Sequence, residues 1–375
     1  MSEFAPIDHA ARVAMIQPRL PLGNGCDALL FTDLVDVRWL TGFTGSNGWA
    51  VLTVDELILG TDGRYGERAR AETSTSGATV IAETSRAKLH DRLVATLRAT
   101  RSVGLDPTST SHAEWQRLAQ DITLEPTDSL VGLQRLFKDT AEIERMAAAA
   151  AAADAALAEV EPLLFATVDA TVTEADIRNE LEYRMRLHGA DDRSYETIVA
   201  SGPDHAARPH HEPSSRRIVD GDTVIIDVGA LVDGYHSDMT RSYVIGEPTE
   251  EQRRIYALVE ASHAAGVAAV RPGISARELD AVCRDVFDEA GYLDWYLHGT
   301  GHGVGLVIHE QPFHSQASEE VLGVGNVVTV EPGLYRVGFG GFRIEDLLVV
   351  TEAGSQPLTH TVPRPFPGRA RTPTD

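Results

Sequence analysis

Four carboxylates in the second half of the sequence stand where a carboxylate is expensive. Asp227 closes Thr223-Val-Ile-Ile-Asp227, Asp238 lies in Gly234-Tyr-His-Ser-Asp238-Met-Thr-Arg, Glu331 ends Val327-Val-Thr-Val-Glu331, and Glu345 interrupts Phe342-Arg-Ile-Glu345-Asp-Leu-Leu-Val. An acid within an apolar strand is costly to bury unless it is paired or bound to a metal. Asp233-Gly234 is a type I′ turn signal, and a two-residue loop there opposes residue 227 to residue 240. Asp238 then shares a face with Asp227 as a diagonal neighbour. A second connection centred near Gly338 would set Glu331 opposite Glu345. Four carboxylates facing one cleft repel, and pKa shifts neutralise only some of them. Two divalent cations balance the charge, which makes metal-assisted hydrolysis the chemistry to expect. The competing reading, a solvent-facing acid pair on an edge strand, fits the apolar flanks poorly.

Histidines lie between the two acid pairs. His298-Gly-Thr-Gly-His302-Gly-Val-Gly-Leu-Val-Ile-His309-Glu310 places three of them within twelve residues, in a glycine-rich stretch that lets backbone approach something closely. A dinucleotide loop is the other reading of these glycines. It lacks the following helix and the acid some 20 residues on.

Elements able to position these groups follow from the pattern. Thr173 to Leu187 reads as a helix, followed by strands near Tyr195–Ser201, Thr223–Gly229 and His236–Ile245. Two helices opened by Thr249 (Gln252 three residues on) and Ser275 (Glu278 three residues on) carry capping-box signatures. Strands are expected again at Gly305–His309, Val327–Glu331 and Phe342–Val350. Helices then strands, twice over, imply two related halves facing across one cleft. Upstream, Asp139 with Glu142 starts a long helix whose alanine run, residues 147–153, is helix former rather than linker. The first ~137 residues alternate strands (Ala28–Phe31, Trp49–Val54) with a helical run from Leu89 to Thr100. The expected division is an N-terminal α/β domain over 1–137, a catalytic domain over 138–363 and a flexible tail over 364–375.

Composition narrows the class. With 43% hydrophobic and 24% charged residues the chain reads as globular, and a net charge of -23 argues against nucleic-acid binding. Cys26 and Cys283 are the only cysteines, so no disulfide framework is expected. The N-terminus lacks the pattern of a secretory signal, and no apolar run suits a membrane span. A cytoplasmic location is expected, with no membrane partner.

Asp227-Val-Gly, Ser237-Asp238-Met-Thr-Arg, Gly301-His302-Gly, His309-Glu310, Glu331-Pro-Gly-Leu-Tyr335 and Arg343-Ile-Glu345-Asp together resemble the pita-bread metallopeptidases of family M24, in their proline-specific branch of aminopeptidase P and prolidase. Trp39-Leu-Thr-Gly-Phe43-Thr-Gly-Ser-Asn-Gly48 and Thr61-Asp-Gly-Arg-Tyr65 resemble the creatinase-type N-terminal domain of the same enzymes. The resemblance implies an α+β fold: that N-terminal domain, then a pita-bread domain with pseudo-twofold halves. It implies that Asp227 binds one metal, Asp238 and Glu345 bridge both, and His302 and Glu331 hold the other. A hydroxide between the ions would be the nucleophile. Manganese is implied, with Co²⁺ or Zn²⁺ as substitutes. By the same resemblance His210, His309 and Arg343 serve catalysis and His298 and Tyr335 bind substrate; Arg343 and Tyr335 could equally be a salt bridge and a packed aromatic beside the metals. His211 adjoins His210, and the Pro-His order favours the latter.

The implied substrate is a peptide with proline in second position, cut by an aminopeptidase P-like homodimer. Prolidase, restricted to dipeptides, is the alternative, since the two differ in how loops close the cleft. A metal-free creatinase-like hydrolase or a binding module would lack ligands that this sequence keeps. Methionine aminopeptidase in its minimal form lacks the N-terminal domain.

Overall fold

The computed structural model describes residues 4–20, 25–165 and 172–366. The chain divides into two compact units, one formed by Pro6–Arg135 and the other by Leu136 onward together with Phe4 and Ala5. Residues 367–375 of the expected tail lie outside the described residues. Just before them, Pro365 accepts a hydrogen bond from the Val244 amide and Phe366 packs on Tyr256.

In the first unit the helices are α1 (His9–Ile16), α2 (Leu34–Thr41), α3 (Gly66–Glu72), α4 (Arg86–Leu97), α5 (His112–Leu118) and α6 (Leu130–Arg135). The strands are β1 (Ala28–Phe31), β2 (Gly48–Thr53), β3 (Leu57–Asp62), β4 (Thr79–Glu83), β5 (Val103–Leu105) and β6 (Leu124–Pro126). They form one sheet in the order β4-β3-β2-β1-β5-β6, parallel except for β2. Leu89, Leu93 and Leu97 line one face of α4 at helical spacing and pack with Leu30, Val51, Val103 and Leu105 of the sheet. That burial explains the apolar period read in the sequence, although α4 begins three residues earlier, where the Ser85 hydroxyl accepts from the Lys88 amide.

The second unit opens with α7 (Thr140–Phe165), where Asp139 and Glu142 exchange backbone and side-chain hydrogen bonds as a capping box requires. The alanine run is a packing device: Ala149, Ala152, Ala153 and Ala156 are buried among Ile177, Leu181 and Met185 of α8 (Glu174–Leu187). Small side chains let the two helices approach closely. Then follow β7 (Asp192–Arg193), β8 (Ile198–Ser201), the short α9 (Gly202–His205), β9 (Thr223–Asp227), β10 (Ala230–Val232), β11 (Tyr235–His236) and β12 (Thr240–Val244). A second round brings α10 (Glu250–Ala269) and α11 (Ala276–Glu289), each opened by the expected capping box. β13 (Gly301–Gly303), β14 (Glu310–His314), β15 (Val327–Val330), β16 (Gly333–Arg336), β17 (Gly340–Arg343), β18 (Asp346–Thr351) and β19 (Gly354–Pro357) complete it. Helices then strands thus occur twice, with sheets β12-β9-β8 and β14-β13-β15-β18-β19.

Three expected strands need correction. Gly305–His309 is a bend, not a strand: it links β13 to β14 outside their ladder, and the Gly305 carbonyl turns to accept from the His236 amide. Phe342–Val350 breaks into β17 and β18 at Ile344–Glu345, because the Glu345 amide donates to Thr240 instead of continuing the ladder. His236–Ile245 breaks between β11 and β12 around Asp238. The last two breaks fall on acids of the predicted site. No described helix is long and apolar enough to cross a membrane.

Candidate metal centre

The first hairpin has the register expected from its turn. Asp233 and Gly234 both have positive φ, 44° and 72°, as a type I′ turn needs, and Asp227 lies opposite Thr240. Asp238 therefore returns to the face of Asp227, and the Tyr195 hydroxyl lies within hydrogen-bond reach of both carboxylates, which share its one proton. The second hairpin turns at Val337–Phe339 around Gly338 (φ 83°), and β16–β17 and β15–β18 keep one continuous register. Glu331 and Glu345 face each other in the gap between those two ladders. The five expected ligands, together with His210, His298, His309 and Arg343, border one cavity of about 640 Å³.

The donor geometry shows what the cavity is built to hold. His302 Nδ1 lies 3.0 Å from the Gly303 carbonyl, which can only accept, so the proton belongs on Nδ1 and Nε2 presents its lone pair. That lone pair faces Asp238 Oδ2 at 3.5 Å and Glu331 Oε1 at 3.6 Å. Burial lowers the His302 pKa, so protonation does not relieve this meeting of acceptors. Burial first, and then neighbouring carboxylates, push Asp238 and Glu345 well above the usual carboxylate range; burial also raises Glu331. Ligand atoms of Asp238, His302 and Glu345 all lie within 4.8 Å of one another. Two carboxylates and an imidazole lone pair converging on one point fit a divalent cation, and two such ions suit the full set.

Arg343 ties the acids together. Its guanidinium donates to Asp227 Oδ2 at 2.6 Å, to Thr240 Oγ1 at 3.0 Å and to the Tyr335 hydroxyl at 2.8 Å. Thr240 in turn donates to Glu345 at 2.7 Å. Tyr335, expected to bind substrate, does not border the cavity: it is buried and donates onward to His298 Nε2 at 2.9 Å. His298 Nδ1 donates to the Gly299 carbonyl at 2.7 Å, which fixes its tautomer. His309 is exposed to the cavity, its ring 4.5 Å from that of His302. Burial and the neighbouring His302 lower its pKa.

His210 borders the cavity, whereas His211 turns away. His211 Nε2 and His205 Nδ1 both donate to the Glu174 carboxylate, which also accepts from the amides and hydroxyls of Ser201 and Ser214. These donors account for the spacing of this second acid–imidazole cluster. Sequence reasoning passed over Tyr195 and His314. Tyr195 sits at the edge of an apolar strand and carries no pattern until the hairpins close. His314 borders the cavity through a residue that the alternation of β14 turns inward.

Residues 144–352 match the family model of metallopeptidase family M24, and residues 22–139 that of the creatinase/prolidase N-terminal domain. The peptidase YqhT of Bacillus subtilis, itself uncharacterised, is 38% identical over 346 residues, covering 90% of this chain and 94% of that protein. Among solved structures, an Xaa-Pro dipeptidase from Bacillus anthracis superposes with a TM-score of 0.88 at 33% identity, covering 95% of this chain and 98% of that one. An X-Pro aminopeptidase from Thermotoga maritima gives 0.84 at 31% identity, with 95% and 98% covered.

Proposed function

Because this chain belongs to metallopeptidase family M24, we propose that it is a metal-dependent peptidase cutting the bond between an N-terminal residue and a following proline. In sequence a creatinase-type N-terminal domain is followed by a domain of the pita-bread fold, and family membership implies divalent metals. The observation that carries the proposal is the convergence of five ligands with His210, His298 and His309 on one cavity. In this reading residues 1–137 are the N-terminal domain, 138–363 the catalytic domain, the protein is a cytoplasmic homodimer, and the ions are Mn²⁺.

Asp227, Asp238, His302, Glu331 and Glu345 would hold two cations, which supply a water of lowered pKa and polarise the scissile carbonyl. The protein's own groups do the rest. Tyr195 and Arg343 orient the carboxylates by donating to them. His309 stands where it can donate to the developing oxyanion, a contribution of about 2.7–4 kcal/mol for comparable groups. Its lowered pKa makes that donor a neutral N–H. His210 and His298 contact the peptide, with Tyr335 fixing the angle of His298.

The aminopeptidase form is favoured by the charges on the wall. A dipeptide brings its carboxylate one residue beyond the scissile bond, where a cation would have to meet it. Arg343 is the one guanidinium bordering the cavity among the described residues, and it is engaged by Asp227. The dipeptidase form is favoured by relatives bearing that name, such as the one from Pyrococcus furiosus. Hydrolysis of Ala-Pro and Arg-Pro-Pro with added Mn²⁺ separates the two. Cleavage of both supports the aminopeptidase; cleavage of the dipeptide alone supports the dipeptidase; cleavage of neither refutes the proposal.

A further inference from the structure

The N-terminal unit holds a cavity of its own, about 270 Å³, which no step of peptide hydrolysis uses. Its position follows from the sheet order. From β1 the chain passes to β2 on one side, and from β5 it passes to β6 on the other. The point between β1 and β5 is therefore a topological switch, and the crevice beyond the carboxyl ends of the strands is where open α/β sheets take ligands. Thr32 directly follows β1 and Thr110 lies in the loop after β5; their hydroxyls are 2.9 Å apart and both residues line the cavity.

The wall is rich in donors. Trp49 Nε1, His90 Nδ1 and Arg117 Nε belong to lining residues, are buried, and have no hydrogen-bond partner. Each such group costs about 1–3 kcal/mol while unsatisfied; the indole and guanidinium N–H can only donate, and His90 Nδ1 donates in one of its two tautomers, so the cavity suits an acceptor-rich occupant. Arg86 adds an exposed guanidinium one helical turn before His90 on α4. Glu114, the one acid on the wall, is paired with Arg117. The volume corresponds to about nine waters at ~30 Å³ each, room for a phosphate group with a short tail.

We propose that this cavity binds a small phosphate-type oxyanion, held by Arg86, His90 and Arg117 with the indole N–H of Trp49. The test is calorimetric titration of the manganese-loaded full chain with inorganic phosphate at constant ionic strength, compared with Arg86→Ala/His90→Ala. The wild type should show a saturable component that weakens at least tenfold in the double variant. Peptide hydrolysis, and any inhibition of it by phosphate at the metal centre, should be the same in both. Should the double variant melt early, Arg86→Gln, a change at an exposed residue, should weaken the same component at least threefold. A phosphate isotherm unchanged in these variants, or absent from the wild type, overturns the proposal.

Discussion

Replacing Glu174 with glutamine tests how firmly the loop carrying His210 is held. The Glu174 carboxylate is fully buried at the start of α8, with Ser201 on one oxygen, Ser214 on the other, and His205 and His211 alongside. Burial alone would raise its pKa, yet hydrogen bonds from Ser201, Ser214 and His205 more than offset this and lower it from 4.5 to about 2. A folded-state pKa below the unfolded one contributes stability that is present above pH 4.5 and lost as pH falls toward 2. The shift corresponds to roughly 3 kcal/mol at neutral pH, of which roughly 2 should be gone at pH 3. A glutamine keeps one carbonyl acceptor but turns an NH₂ toward donors on the other side, and it does not titrate. Urea unfolding of wild type and Glu174→Gln at pH 7 and pH 3 gives the comparison. The gap between the proteins should be about 3 kcal/mol at pH 7 and should narrow by about 2 at pH 3. An equal gap at both pH values would refute the assignment of an ionised, hydrogen-bonded carboxylate. Activity at pH 7 should also fall, through a raised KM, if His210 contacts the peptide.

Stripping the metals with a chelator should abolish hydrolysis and lower the melting temperature, because Asp238, Glu331 and Glu345 are then left crowded and uncompensated. Restored Mn²⁺ should reverse both, and activity that survives complete removal, measured by elemental analysis, would rule the centre out as catalytic. Tyr195→Phe removes the hydroxyl whose proton Asp227 and Asp238 share. Metal affinity should drop about 10–100-fold, read by titrating activity against free Mn²⁺, and an unchanged affinity would contradict the role. Lys138→Met breaks the buried pair with Glu310, N–O 2.5 Å, beside His309. It should cost about 3–5 kcal/mol of stability in chemical denaturation; a loss below 1 kcal/mol would mean the pair is not maintained in solution.

Much of the centre was legible because strand parity carries it. Asp233-Gly234 demanded its turn, the turn set residue 227 against residue 240, and Asp238 followed. Such reasoning works within a hairpin and stops at its edge. The bend at Gly305–His309 was misread because Leu306-Val307-Ile308 is as apolar as a strand. What distinguishes it is that its backbone bonds outside the β13–β14 ladder, as where the Gly305 carbonyl accepts from the His236 amide, and that depends on a partner distant in sequence. Tyr335 illustrates a different limit: the family resemblance implied either contact with substrate or a packed aromatic beside the metals, and whether a buried hydroxyl faces a cavity or the histidine beside it is decided by packing. The Glu174 node joins residues up to 40 positions apart and left no local signature beyond a helix cap.

The shared register of the second hairpin also limits which insertions and deletions the chain can accept. β15–β16 and β17–β18 run through the gap at Glu331 and Glu345 without changing parity, so every side chain in both arms takes its face from one unbroken register. The loop can shorten from three residues to two with the pairing kept, but removing one residue from β17 between the loop and Arg343 would slip that arm by one and turn Arg343 and Glu345 to the opposite face together. Adding or removing two restores the faces. Length variation should therefore be free at the loop of Val337–Phe339 and come only in even steps within the paired arms wherever the metal centre is kept.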